Sequence, residues 1–256
     1  MSRSLHWREY LIEAIGLGLF MVSAAFMTTL LEHPSSPIRL ALPDPFVRRA
    51  LMGLAMGLTA ASLIYSPWGR RSGAHFNPSV TLTFFRLGKV SATDAAGYVA
   101  AQFVGGTLGI AAAAFLLRPW IANAAVNYVA TQPGPGGDGV AFFGELAISF
   151  LLMLTVLTAS NRARLARFTG LFAAALVASF IAVEAPLSGM SMNPARTFGP
   201  SLVGGLTHGL WLYFVAPPLG MLAAAELYTR IKGRVAVHCA RLQHTGPCIF
   251  CNAGHI

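Results

Sequence analysis

Apolar residues run through this chain in long, nearly unbroken stretches, and polar residues gather in the short intervals between them. Six stretches approach the roughly 20 residues a helix needs to cross a bilayer core: residues 11–31, 46–65, 95–117, 140–159, 168–184 and 208–228. Several are rich in glycine and alanine, as at Gly105-Gly106 and Gly109. Small residues let membrane helices pack closely. Two further apolar stretches, 78–87 and 194–203, hold only ten residues each. At 1.5 Å per residue, a helix of that length covers about 15 Å, half of a roughly 30 Å core. One such helix alone would leave the N–H groups of its first turn unpaired in lipid. The pattern therefore predicts a pair that enters from opposite faces and lines a polar path.

The two short stretches begin alike. Ser72-Gly73-Ala74-His75-Phe76-Asn77-Pro78-Ser79 and Ser188-Gly189-Met190-Ser191-Met192-Asn193-Pro194-Ala195 lie 116 residues apart. Asn is a favoured N-cap and Pro a favoured first helical residue, so each marks a helix start. Either Asn-Pro alone would read as an ordinary cap; the duplication makes it a repeat. Glu13 opens the first span and Glu145 the fourth, and Tyr98 and Gly105 in the third match Tyr213 and Gly220 in the sixth, 115 residues on. Each half reads as two spans, a half-helix and a third span. Three is an odd number, so the second half is inverted relative to the first. The predicted fold is an all-α membrane protein of six transmembrane helices plus two re-entrant half-helices in an inverted repeat. The channel-forming domain covers residues 1–230, with repeats at about 9–117 and 140–230, and a tail covers 231–256. Half-helices in corresponding positions of the two repeats place a solute site near the midplane.

Composition agrees. Of 256 residues 55% are hydrophobic and only 11% charged, against roughly 25% charged in a soluble domain, and mean hydropathy is +0.62. The solvent of this chain is mostly lipid. A net charge of +9 could point to nucleic acid, but the basic residues sit in short loops with no continuous basic surface, so no nucleic-acid partner is expected. With both termini cytoplasmic, thirteen Lys and Arg fall on inner segments, among them Arg70, Arg71, Arg162 and Arg230. Five fall on outer ones: Arg39, Arg48, Arg49, Arg118 and Arg196. That asymmetry predicts a multi-pass plasma (inner) membrane protein with both ends inside. Arg3 and Arg8 ahead of an apolar run mimic a secretory signal, but the run is long and holds Glu13, which makes it the first span. Short extensions suit a bacterial chain.

Both boxes, with Arg196 after the second and a Glu in the first and fourth spans, resemble the paired Asn-Pro-Ala boxes of the aquaporin, or major intrinsic protein, family. The resemblance covers about residues 9–228. It implies six tilted helices with two re-entrant half-helices, a homotetramer with one pore per subunit, and passive passage of water or small uncharged solutes, without a cofactor. It places Asn77, Pro78, Ser79, Asn193, Pro194 and Ala195 at the pore centre, with both Asn side chains donating to a passing solute. Backbone around Gly73, Ala74, His75 and Phe76, and around Gly189, Met190, Ser191 and Met192, would line the lane and supply carbonyl acceptors. Glu13 and Glu145 would brace the re-entrant loops; read from position alone, a place among headgroups is the alternative. Independently of the family, each half-helix start carries about half a positive charge, and two aimed at one spot raise a barrier to cations and protons.

The resemblance also implies a selectivity filter of Arg196, Ile181, Met190 and Met56. The segment after Met56 is one residue longer than usual, so Gly57 is the alternative for the last. Typical water-selective members place His at the position of Ile181 and an aromatic at that of Met56. This filter is aliphatic and thioether, with Arg196 as its strong donor, which favours glycerol, urea or undissociated metalloid acids. Ser79 in place of Ala is a second departure, and members with altered boxes include plant nodulin-26-like channels for such acids. Thr197 and Ser201, where glycerol-conducting members have Asp and a basic residue, and the aromatic Tyr213 and Phe214 pull toward water.

All three cysteines, Cys239, Cys248 and Cys251, lie in the last eighteen residues. With His244 they could supply soft ligands to zinc or another thiophilic metal. Redox sensing and a tail with incidental cysteines are the other readings. No nucleophile–base pair, phosphate loop or cofactor box suggests an enzyme. Two other functions are weighed: an ion-coupled secondary transporter on inverted repeats, with Glu13 and Glu145 carrying protons, and a membrane scaffold without permeation.

Overall fold

The computed structural model describes residues 5–243 and 248–251. Eleven α-helices follow one another among these residues, joined by short 3-10 turns and without strands. They are α1 (Trp7–Glu32), α2 (Pro37–Ala41), α3 (Pro45–Tyr65), α4 (Pro67–Ser72), α5 (Pro78–Arg86), α6 (Ala92–Leu116), α7 (Gly137–Ser160), α8 (Thr169–Val183), α9 (Ala185–Ser188), α10 (Pro194–Gly204) and α11 (Leu210–Lys232). Six of them, α8 being counted from Ala166, are long and apolar enough to cross a membrane.

Local chemistry sets most of the ends. Asp44 caps α3, its carboxylate accepting from Phe46 N at 2.7 Å, and Pro45 occupies the first helical position. Ser91 caps α6 by accepting from Asp94 N at 3.1 Å. The last span starts at Leu210 and not at 208, because Gly209 takes a left-handed conformation at φ 66°. The first span starts at Trp7, four residues before the apolar run. Its added turn is polar but satisfied: Glu9 pairs with Arg71 at 2.8 Å, and Tyr10 donates to Asp94 at 2.8 Å.

Glycine decides which helices touch. A Cβ on Gly105 would lie 2.0 Å from the Ala14 carbonyl oxygen, and one on Gly109 would lie 2.4 Å from that of Gly18, so α1 and α6 meet backbone to backbone. Gly220 does the same for α11 against Leu146 of α7, at 2.3 Å. These are corresponding seams of the two repeats. The halves join where Gly53 and Gly57 of α3 fit against the carbonyls of Ala178 and Ala174 of α8. Without a hydrophobic drive between helices in lipid, such close backbone approach supplies the packing energy. Outward faces carry large apolar side chains such as Leu58, Leu108, Phe115 and Phe143, each at least 60% exposed, as a lipid-facing surface requires.

The short helices α5 and α10 hold nine and eleven residues. α5 packs against α6 and α11, and α10 against α6 and α11. Each short helix therefore contacts both repeats.

Candidate functional site

Asn77 and Asn193 cap the two short helices with their own side chains. Asn77 Oδ1 accepts from Ser79 N at 2.8 Å, and Asn193 Oδ1 from Ala195 N at 3.1 Å and Arg196 N at 3.2 Å. With the oxygens fixed by capping, each amide nitrogen is aimed at the other repeat. Asn77 Nδ2 donates to the Met192 carbonyl at 2.7 Å, and Asn193 Nδ2 to the Phe76 carbonyl at 2.8 Å. The two helix tips thus abut. An amide nitrogen carries two protons, so each Asn keeps one donor beyond this cross-link.

The loops leading to the tips are bent the same way. Gly73 and Gly189 have φ of 97° and 78°, followed by Ala74 and Phe76 in one loop, and Met190 and Met192 in the other, all at positive φ. A non-glycine residue there costs about 1 kcal/mol or more and persists only where its surroundings over-determine it. A buried carboxylate does so in each repeat. Glu13 accepts from Ser72 Oγ at 2.7 Å, His75 N at 3.1 Å, Phe76 N at 2.5 Å and Gln102 Nε2 at 2.8 Å. Glu145 accepts from Ser188 Oγ at 2.8 Å, Ser191 N at 2.5 Å and Met192 N at 2.7 Å. Neither carboxylate is exposed, so the headgroup alternative does not describe them. Tyr98 and Tyr213 add a matched pair, donating to the Ser72 and Ser188 carbonyls.

A cavity of about 540 Å³ runs past the tips. One end is lined by Glu32, Arg48, Arg49 and Asn127, and the other reaches Leu242. Between them lie Met56, Ala74, His75, Phe76, Asn77, Ile181, Gly189, Met190, Ser191, Met192, Asn193 and Arg196. Gly57 is not among the lining residues; it sits in the α3–α8 seam, while Met56 faces the cavity. Pro78, Ser79, Pro194 and Ala195 are buried behind the tips and outside the lining. The Ser79 hydroxyl therefore does not address the cavity. Gly73 is also outside it, its carbonyl accepting from Leu242 N at 3.2 Å.

Arg196 donates from Nη1 to the Val129 carbonyl at 2.9 Å. Val129 ends a run of three residues at positive φ, Asn127, Tyr128 and Val129, in the segment between α6 and α7. Thr131 reaches the same place, its hydroxyl 2.6 Å from that of Thr197, which also meets Ser191 Oγ at 2.5 Å. Sequence reading passed over this segment. Its one local signal is Asn127, a residue type that tolerates positive φ.

At the opposite mouth lies the segment that follows α11. Val237, Cys239, Ala240, Arg241 and Leu242 are all buried. His75 donates from Nε2 to the Ala240 carbonyl at 2.7 Å, which leaves Nδ1 to accept from Thr81 at 3.0 Å. Phe250 stacks on His75 with ring centres 5.7 Å apart. Cys239, Cys248 and Cys251 hold their sulfurs within 4.8 Å of one another. The Cys239–Cys248 contact is 3.4 Å; it lowers the Cys248 thiol and, with burial, pushes that of Cys239 up. These three form a cluster that could hold a metal; His244, the fourth expected ligand, lies outside the described residues.

Comparisons with known proteins meet this geometry. The Major intrinsic protein family model matches residues 1–228. Aquaporin NIP1-1 of Arabidopsis thaliana is 36% identical over 188 residues, covering 71% of this chain and 63% of its own length. Glycerol uptake facilitator protein-like 6 of Lactiplantibacillus plantarum is 37% identical over 183 residues (68% and 81%), and probable aquaporin AqpM of Archaeoglobus fulgidus is 40% identical over 185 (69% and 74%). The chain spans somewhat under two thirds of the plant relatives it matches. The X-ray structure of the aquaglyceroporin from Plasmodium falciparum superposes with a TM-score of 0.70 at 21% identity, over 90% of this chain and 98% of the other; at that identity the likeness speaks for the fold. With a family model over nearly its whole length and relatives of this identity, the chain belongs to the major intrinsic protein family.

Proposed function

We propose that this multi-pass membrane protein is a passive channel for water and small uncharged solutes that excludes ions and protons. The observation that carries the reading is the meeting of two capped helix tips, Asn77 to Met192 and Asn193 to Phe76, inside one elongated cavity. Helix N-termini concentrate positive potential there, and the free amide protons hold the oxygen of a passing molecule. Met56, Ile181, Met190 and Arg196 form the filter, three apolar walls and one fixed guanidinium. The apolar walls favour solutes with carbon or metalloid centres, such as glycerol, urea or boric acid, alongside water. The names of the relatives, aquaporin and glycerol uptake facilitator, support the same range.

Glu13 and Glu145 act as struts, since loop donors already occupy their oxygens. That occupancy speaks against proton carrying by an ion-coupled transporter. The channel assembles as a homotetramer in the plasma membrane with both termini cytoplasmic, and the three thiols hold a thiophilic ion such as zinc. The deciding experiment is a side-by-side swelling assay of reconstituted vesicles with water, glycerol, urea and boric acid, with and without a proton gradient. Flux above empty vesicles, non-saturating and indifferent to the gradient, supports the channel. Gradient-dependent saturable flux, or none from protein stripped of metal with a chelator, removes it.

A further inference from the structure

We infer that Cys239, Cys248 and Cys251 form a site for one soft, thiophilic cation, and that the ion shuts the channel by pinning the chain's end across one pore mouth. The inference rests on the channel reading above. Its starting point is a lane wall whose polar groups are already engaged by the chain itself. The Gly73 carbonyl, which should face permeating solute, accepts instead from Leu242 N at 3.2 Å. The imidazole of His75 is bonded to Ala240 and covered by the Phe250 ring. Leu242 lines the cavity at this end. The segment is tied on both sides: His238 N donates to Asn161 Oδ1 at 2.8 Å at the end of α7, and Arg241 Nη2 donates to the Arg71 carbonyl at 3.1 Å at the end of α4. It bridges the two repeats over their shared cavity.

The thiols belong to the same arrangement. Cys239 directly precedes Ala240, and Cys248 and Cys251 flank the segment that holds Phe250. When Ala240 and Phe250 both rest on His75, the three sulfurs come within 4.8 Å of one another. The site is therefore complete when the segment is docked, and undocking disperses it. A ligand that prefers one state shifts the balance to that state by its differential affinity. Thiolates select soft ions such as zinc and copper(I). On binding, each thiol releases its proton to solvent. Three sulfurs complete a copper(I) shell and leave zinc one further position, for water.

The test uses the full-length protein, reduced and stripped with a chelator, then titrated separately with zinc and with copper(I). One ion per chain is expected from at least one of the two, and none in Cys248→Ser/Cys251→Ser. In vesicles at a free ion concentration about 100 times Kd, binding to the docked state alone shifts the open-to-closed ratio by about 100-fold; from a starting population with up to about ten open chains per closed one, water flux should then fall by about tenfold or more. The serine double variant should conduct with or without the ion. Phe250→Ala, which keeps the thiols, should bind the ion with less loss of flux. Binding without a change in flux overturns the inference, as does failure of both ions to bind. A fall in flux caused by an oxidant and not by either ion assigns the cluster to a disulfide and overturns it too. If none of the stripped protein, the serine variant and Phe250→Ala conducts above empty vesicles, the channel reading itself fails.

Discussion

The guanidinium of Arg196 is held by the carbonyl of Val129, 2.9 Å away, across the gap between the second short helix and the segment joining the two repeats. A charge at membrane depth is costly unless it lines water or finds a partner. Here it has both, since it also lines the cavity. The bond fixes where the charge stands, and the carbonyl that accepts it belongs to the strained run at Asn127, Tyr128 and Val129.

Arg196→Ala should open the filter. Flux of glycerol relative to water should rise by about tenfold, the equivalent of about 1.4 kcal/mol of barrier, and cation leakage should become measurable. Swelling and conductance of reconstituted vesicles check this. An unaltered solute profile would place the constriction elsewhere.

Ile181→His should act in the opposite sense, since it adds a polar wall beside Met56, Met190 and Arg196. Glycerol flux should drop by about tenfold while water flux changes little, a barrier change of about 1.4 kcal/mol. Equal glycerol flux in variant and parent would mean that residue 181 is outside the filter.

Glu145→Ala should destabilise the protein. It strips the acceptor from Ser188, Ser191 and Met192, and each buried donor left unpaired costs about 1–3 kcal/mol. Glu145→Gln keeps one carbonyl acceptor and should lose less. Thermal unfolding in detergent ranks the two. A Gln variant that folds and still conducts without a proton gradient would confirm the side chain as a strut.

Gly109→Ala and Leu108→Ala are neighbours with unequal expected effects. A methyl on Gly109 meets the Gly18 carbonyl at 2.4 Å, and backbone cannot yield cheaply. The cost should be about 1–3 kcal/mol of overpacking. Leu108 is 63% exposed on the lipid face, so its truncation should leave the melting temperature in detergent nearly unmoved. Similar effects from both would refute the backbone contact between α1 and α6.

Periodic and local features carried most of the architecture. Length and apolarity mark the six spans, Asn-Pro marks each half-helix start, and duplication with an odd span count demands inversion. Those depend on a few neighbouring residues and on lipid as solvent, so a linear reading reaches them. Which residues line the cavity was only half legible. The extra residue after Met56 left Gly57 as its alternative; Gly57 packs in the α3–α8 seam, and Met56 lines the cavity. Glu13 and Glu145 could be placed within their spans, yet not tied to loop N–H groups some 46 to 63 positions away.

What only the tertiary structure decided is everything made by residues distant in sequence. Val129 faces Arg196 across 67 positions, and Ala240 meets His75 across 165. No local pattern encodes either contact, because a backbone carbonyl has no residue type and a short irregular segment has no period. The amino-acid order alone determined that two half-helices must meet inside a membrane; folding determined what holds the arginine beside them and what lies across the mouth.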